Sequence, residues 1–516
     1  MNTTSPSVHR STTSSRVARS ALLVAILFTF DKLLGVGRDA IISRTFGASA
    51  ALDAYYAAFE LPDGLFTIVA GSAMATALIP ILAARIAQDD QEGVWQLVSA
   101  VINWVLLSVA GVSVAAAAFA SQAIHVIAPG FSAEQAMLAA QLMRLVLLQT
   151  LVSSLSGIVM SVLQAHQHFL LPAAAPLAYT LGRIAGVLLL TPRWGIFGLA
   201  WGGLAGSVGH FLIQVPGLIS YRARWRPTLH HPDMKAVLRL MGPRALGLGA
   251  TYLNFVLPTF LGSSLASGAI SSYEYGWRLM QFPETIIGTA LGLTIFPTLA
   301  EQANAGDQDG LCRTAAWALR LVLALALPAA VGLFVLGRPL TALLFQGGEF
   351  DAITTDRVYW ALQFFAIGLV AHSVLEVVSR LFYAQRDMWT PLGAALIGLA
   401  ANVVLGWSLL PVLDHGAIAL SNSLGTGLQV IFLLLAARRR LGGGEERDLS
   451  VSLARSGASA ALMGVAVIGF QRLLPDVKLL FTSASGLAVG TATYIAAALL
   501  LGSEEIRQMP RLLLRK

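Results

Sequence analysis

The residues best suited to chemistry in this sequence are charges set into apolar stretches. Residues 28–42 read FTFDKLLGVGRDAII and place Asp31, Lys32, Arg38 and Asp39 directly after the apolar run ALLVAILF. An ionised side chain at the centre of a bilayer costs on the order of 2.5–3.5 kcal/mol on insertion scales, so each one needs a partner, a cavity or an interface. On a helix, Asp31 and Arg38 would stack on one face about 10 Å apart, as would Lys32 and Asp39, because seven steps nearly complete two turns. Gly35 and Gly37 between them would let the helix bend, or let a neighbouring backbone or ligand come close. If the helix enters the membrane near residue 19, Lys32 lies about 20 Å deep and Arg38 and Asp39 about 30 Å, at the far edge of the hydrocarbon. Interfacial anchoring is the structural alternative for Arg38 and Asp39. Pairing with Asp31 is the alternative for Lys32.

A second set lies in YEYGWRLMQFPETI, residues 273–286. Glu274 and Arg278 are an i,i+4 pair in the favourable order, and Pro283 is expected to interrupt the helix. Arg144, Arg183, Arg244 and the group His372, Glu376 and Arg380 are further polar residues in apolar segments, where internal pairing competes with a transport role. Cations exceed carboxylates among these positions. That excess suits a phosphate or diphosphate, which arginine grips with two parallel bonds and lysine meets as a point charge. Bond-making chemistry has no matching signal: GxxxxGK[ST], HExxH, CxxC and GxSxG are all absent, so the chain reads as a non-enzyme without cofactor or metal. A coupling ion and the membrane potential both stand as candidate driving forces.

The elements that carry these charges follow from composition. Of 516 residues 56% are hydrophobic and only 12% charged, with a mean hydropathy of +0.71. A soluble domain carries about 25% charged residues, so a chain this apolar could not cover its own surface in water. It reads as an all-α polytopic membrane protein. The net charge of +7 belongs to loops between spans and gives no amphipathic face for nucleic acid. The single cysteine, Cys312, leaves no partner for a disulfide and no zinc cluster. Spans of about 20 apolar residues are expected near 18–43, 51–84, 94–127, 135–164, 169–191, 196–220, 235–262, 268–300, 311–345, 354–384, 390–411, 415–437, 450–472 and 478–502, about fourteen in all. Residues 1–18 would be an uncleaved cytoplasmic tail. Arg222, Arg224, Arg226, Arg438, Arg439, Arg440 and the basic 504–516 tail mark one side, and the loops 128–134, 263–270 and 412–416 contain no Lys or Arg. This bias favours both termini in the cytoplasm and an even number of spans.

The chain also repeats itself. Residues 80–93, PILAARIAQDDQEG, and 297–310, PTLAEQANAGDQDG, share six of fourteen positions at an offset of 217. LQAHQHFLLP (163–172) pairs with FYAQRDMWTP (382–391) at offset 219. Two parallel six-helix repeats are therefore expected, an N-lobe over 19–225 and a C-lobe over 226–445, followed by two further helices over 446–503. Duplicated lobes of this kind typify alternating-access transporters.

The motifs themselves resemble the MurJ/MviN family of lipid II flippases, within the larger group of multidrug, oligosaccharidyl-lipid and polysaccharide exporters. The likeness rests on GVGRDAIISRTFGAS (35–49) with Asp53, ALIPILA (77–83), MGP (241–243), RLMQFP with IIGTALGLTIFPTLA (278–300), PLTALLFQGGEF (339–350) and FYAQRDMWTP. It implies a V-shaped bundle with a cationic central cavity in the bacterial cytoplasmic (inner) membrane, passing lipid II from the cytoplasmic to the outer leaflet. It also implies site roles for Lys32, Arg38, Asp39, Asp53 and Arg278, with Glu274, Arg244, Glu376 and Arg380 as secondary candidates. Expected partners are lipid II or a related polyprenyl-diphosphate glycan, membrane lipids and cell-wall synthesis enzymes. The chain departs from the family pattern at Phe66, Thr67 and Gly71, where an arginine pair and a Glu-Gly element are usual, and at Trp277 and Gln281, where acids are usual. Export of another polyprenyl-diphosphate glycan, ion-coupled drug antiport, and a transport-dead scaffold are the rival expectations.

Overall fold

The computed structural model of this chain describes residues 8–69, 72–441, 446–473 and 479–508. At some helical positions, among them 8–22 and 242–247, it describes the backbone alone. Contacts divide the chain into two units, Met1–Val256 and Leu257–Lys516.

The first unit is built from α1 (Val8–Phe46), α2 (Ala50–Val69), α3 (Ser72–Ala87), α4 (Gln91–Ala118), α5 (Ala120–Ile127), α6 (Ala133–Ala165), α7 (Leu170–Ala185), α8 (Thr191–Trp194), α9 (Ile196–Ser220) and most of α10 (Met234–Gly262). A π-turn, Gly186–Leu190, joins α7 to α8. Leu78 and Leu82 of α3, Leu97 and Val101 of α4, and Ile158 and Val162 of α6 form its main apolar core. Between α7 and α9 the packing is backbone against backbone. A Cβ at Gly182 would fall 2.3 Å from Gly206 Cα, and one at Gly186 would fall 2.5 Å from Gly202 Cα. Such close approach needs glycine on both helices, and within a membrane it replaces the hydrophobic drive that lipid does not supply.

The second unit holds α11 (Ala269–Glu284), α12 (Ala290–Ala305), α13 (Gln308–Phe345), α14 (Ala352–Ala384), α15 (Trp389–Leu413), α16 (His415–Leu441), α17 (Glu446–Leu473) and α18 (Leu479–Leu500). A π-turn, Thr285–Thr289, links α11 to α12 directly after Pro283. The expected interruption is thus a change of helical pitch, with the helix continuing through it. α17 and α18 pack on α13 through Met463, Val467 and Tyr494 against Ala324 and Leu336, and Tyr494 OH donates to the Ala324 carbonyl at 2.5 Å.

Among the described residues eleven helices are long and apolar enough to cross a membrane, and each coincides with an expected span. The protein is a multipass membrane protein. The other three expected spans fall on α1, on α2 with α3 around residues 70–71, which lie outside the described residues, and on α10. The span expected over 94–127 is divided at Phe119 into α4 and α5.

The internal repeat is visible in local conformation. Asp90 and Asp307 each cap the following helix by accepting the amide of Gly93 or Gly310 at 2.8 Å. In both copies a Cβ on that glycine would collide with the capping carboxylate at 2.1 Å, which explains the repeated glycine. The residue before each cap, Asp89 or Gly306, is left-handed. α6 and α14 begin and end 219 residues apart, and Gly195 and Asp414, also 219 apart, share φ 54° at the junctions that open α9 and α16.

The junctions that open α7 and α15, at His168 and Asp387, differ in chemistry: α7 has no side-chain cap, whereas Asp387 caps α15. Asp387 Oδ1 accepts the amides of Trp389 and Thr390, each at 3.0 Å, and Oδ2 accepts from Thr390 Oγ1 and Arg440 Nη1, each at 2.6 Å. Burial alone would raise the Asp387 carboxyl, but the Thr390 bonds and Arg440 outweigh it and hold it near about 2, below its ordinary 3.8. A depressed carboxyl stabilises the fold above its unfolded pKa and loses that contribution as pH falls through the folded value. Asp387→Asn keeps an amide oxygen to cap α15 and loses the charge that faces Arg440, so it should lower stability by about 1 kcal/mol or less at neutral pH, the range of a part-exposed ion pair. Thermal unfolding measured against pH should show the gap from the parent closing between about pH 4 and pH 2.

Candidate functional site

In the first unit Lys32 stands exposed on α1, and among the described residues it makes no ion pair. Asp31 is engaged elsewhere: Thr180 Oγ1 of α7 donates to its Oδ1 at 3.0 Å. A Cβ at Gly35 or Gly37 would meet nothing within 4 Å, so neither glycine is there to admit another helix. Arg38 Nε donates to Asp39 Oδ1 at 2.9 Å and its Nη2 lies 2.8 Å from the same oxygen. The two side chains are only 16% and 13% exposed. A snorkelling anchor would reach into water, so this pair is better described as a charge held inside the protein. Asp53 is buried in the first turn of α2, where the helix dipole favours an acid.

Two residues along from Asp53, the Tyr55 hydroxyl accepts a hydrogen bond from Arg183 Nη2 of α7 at 3.1 Å. The Arg183 guanidinium carbon lies 5.7 Å from the Tyr55 ring centroid and 5.8 Å from that of Tyr179, a cation held between two aromatic faces. Gln149 of α6 donates to the Tyr179 hydroxyl at 3.0 Å. Nearby in the bundle, Ser156 Oγ lies 2.6 Å from His210 Nδ1, and Gln214 Nε2 donates to Ser156 Oγ at 2.7 Å. Arg144 has a structural use: its Nε donates to the Ala117 carbonyl near the end of α4, at 3.1 Å.

In the second unit Arg278 Nε lies 3.8 Å from Glu274 Oε2, an ion-pair distance too long for a hydrogen bond. Trp277 packs its ring 5.3 Å from both Phe365 and His372. Glu376 and Arg380 form a close i,i+4 ion pair on α14. His372 Nε2 lies 3.0 Å from Asn422 Oδ1 of α16. The Arg244 side chain lies outside the described residues.

The structure therefore joins Arg38 to Asp39, Arg278 to Glu274, and Glu376 to Arg380. The Tyr55 and Tyr179 cradle of Arg183 was not anticipated, since it depends on which faces of α2 and α7 meet. Glu284 was also passed over. Its signal was available: an acid placed directly after Pro283, at the head of the apolar run TIIGTALGLTIF.

Two of the departures from the family pattern, Phe66 and Trp277, are filled by packing, and Gly71 lies outside the described residues. Phe66 lies against the first unit's apolar core, and Trp277 packs among Phe365 and its neighbours in the second.

The sequence model of the lipid II flippase MurJ family matches residues 42–484. A curated lipid II flippase MurJ of Burkholderia cenocepacia is 32% identical over 434 residues, covering 82% of this chain and 84% of that protein. A probable lipid II flippase MurJ of Vibrio cholerae is 26% identical over 435 residues, covering 82% and 83%. Among solved structures, a lipid II flippase MurJ in an inward closed conformation superposes with a TM-score of 0.80 at 22% identity, covering 95% of this chain and 100% of that one. An inward-facing multidrug resistance MATE family transporter of the MOP superfamily superposes with a TM-score of 0.68 at 16% identity, covering 83% and 99%. At these identities the solved structures speak to the fold alone, whereas the sequence matches span most of the chain. The chain belongs to the lipid II flippase MurJ family.

Proposed function

We propose that this protein is a lipid II flippase, carrying the lipid-linked peptidoglycan precursor from the cytoplasmic to the outer leaflet by alternating access, with both termini in the cytoplasm of a bacterium's inner membrane. The observation that carries this reading is the family match across residues 42–484. The work done is binding and movement, with no bond made or broken in the cargo. Lys32, Arg38 and Arg278 are the candidate diphosphate-binding residues, the arginines through paired N–H donors and Lys32 as an exposed point charge. Asp39 and Glu274 orient those guanidinium groups. Asp53 fixes the start of α2 beside them in sequence.

A second cargo is favoured by one observation: Phe66 packs into the first unit's core at a position where the family usually carries a cation. One phosphate-binding contact fewer would suit a different polyprenyl-diphosphate glycan. Vesicles reconstituted with the purified protein, loaded with lipid II or with another polyprenyl-diphosphate glycan, separate the two. The proposal expects lipid II to become accessible on the far leaflet at the greater rate. Movement of the other glycan alone would overturn it.

A further inference from the structure

The π-turn after Pro283 sets one charged group, Glu284, against α14, which carries two more, Glu376 and Arg380. Glu284 ends α11, and Thr289, at the far end of the turn, donates its hydroxyl to Glu284 Oε1 at 3.3 Å. The five-residue spacing of that bond is the pitch of a π-turn, an element that is rare and concentrated at functional sites. Two glycines make the room. A Cβ at Gly288 would lie 2.8 Å from Ser373 Cα of α14 and 2.9 Å from Glu284 Oε1, and one at Gly292 would lie 2.7 Å from Arg380 Nη1. A carboxylate from one helix and a guanidinium from the other thus occupy space that larger residues would close.

Glu376 stands in electrostatic contact with both Glu284 and Arg380, and Arg380 is already its ion-pair partner. Ser373 shares the α14 face with Glu376 three residues on and Arg380 seven residues on. Its hydroxyl is fully buried and has no hydrogen-bond partner. The cluster therefore holds two carboxylates against one guanidinium, with a spare buried hydroxyl between the helices. Among the described residues, the surrounding groups do not supply a second cation. His372 is bonded to Asn422 and Thr426 of α16, Tyr383 lies beside Glu376 and Arg380, and Arg278 is paired with Glu274. On α13, which also packs against the turn, Arg320 faces Asp448 at 3.7 Å and Glu505 at 3.9 Å.

We propose that Glu284, Glu376, Arg380 and Ser373 form a proton-binding site inside the second unit, whose loading and unloading couples proton movement to transport. A proton on Glu284 removes the one uncompensated charge in the cluster, which is costly inside a bilayer. The guanidinium already seated there would repel a metal cation, whereas a proton needs no coordination shell. The coupling half of this inference rests on the flippase reading, and the binding half does not.

The test has two arms on purified full-length protein. Infrared spectra recorded through a pH titration should show a protonated-carboxyl band that is lost in Glu284→Gln and in Glu376→Gln but kept in Glu301→Gln, an exposed position on α12. In vesicles, lipid II translocation by the parent should respond to an imposed pH gradient and lose that response in Glu284→Gln. No titrating band, or a band unchanged in both variants, overturns the site. A band lost as expected beside transport indifferent to the gradient overturns the coupling. A band lost as expected in a protein that moves no lipid II supports the site and counts against the flippase reading instead.

Discussion

Arg38→Ala should abolish transport, and Arg38→Ala with Asp39→Ala should fail to restore it. If Arg38 grips the diphosphate as proposed, the single substitution removes a charge-assisted bidentate contact, a loss of about 2–5 kcal/mol and therefore roughly 30-fold or more in substrate affinity. It also strands Asp39, only 13% exposed, without the guanidinium that sits 2.8 Å from it. These two consequences separate in the double variant. If Arg38 served only to neutralise Asp39, removing both would restore function, because the unpaired charge would be gone. If Arg38 binds cargo, the double variant remains dead while folding normally. Arg38→Lys should fall between, since it keeps the charge and loses the fork. The same comparison applies to Arg278 with Glu274→Gln, where the 3.8 Å ion pair is weaker and structural rescue has less to restore. Flipping rates in reconstituted vesicles, normalised to protein recovered in the monodisperse fraction, are the readout.

Gly202→Leu should have the largest effect on the fold. Its Cα faces Gly186 so closely that an added Cβ would lie 2.6 Å from Gly186 Cα and 2.7 Å from the Gly182 carbonyl. No rotamer relieves a clash made by the Cβ itself, and both neighbours are backbone. The helices must separate, which also pulls at the Ser153–Ser207 and Ser156–His210 hydrogen bonds that tie α9 to α6. Overpacking a tight core costs about 1–3 kcal/mol in ordinary cases, and a backbone contact with no room to yield belongs at or beyond the upper end. Loss of a sharp thermal transition is expected for Gly202→Leu. The same substitution at Gly35, where a Cβ meets nothing within 4 Å, should leave the transition in place.

Much of the architecture could be read from the residues because a membrane simplifies the problem. Every backbone polar group in a span must be satisfied internally, so apolar length translates almost directly into helices. The offset between PILAARIAQDDQEG and PTLAEQANAGDQDG likewise carried real structure, since both copies build the same left-handed turn and the same aspartate cap. What stayed hidden depends on which helix faces meet. Asp31 with Thr180, Arg183 between Tyr55 and Tyr179, and Glu284 beside Arg380 join residues far apart in sequence or across a change of pitch. The π-turns were equally silent, because Pro283 signals a disturbance without specifying its kind. Charge pairing at i,i+4 was visible; the pairing of Arg38 with its neighbour Asp39, and pairing across helices, were not.

The flippase reading stands or falls on where lipid II resides in a cell that has only this protein to move it. In cells depleted of their own flippase and expressing this chain, labelling of lipid II from outside should return to the level of undepleted cells, and with Arg38→Ala it should stay at the depleted level. Lipid II that remains inaccessible from outside, in cells shown to hold the folded wild-type protein in the membrane, would contradict the account.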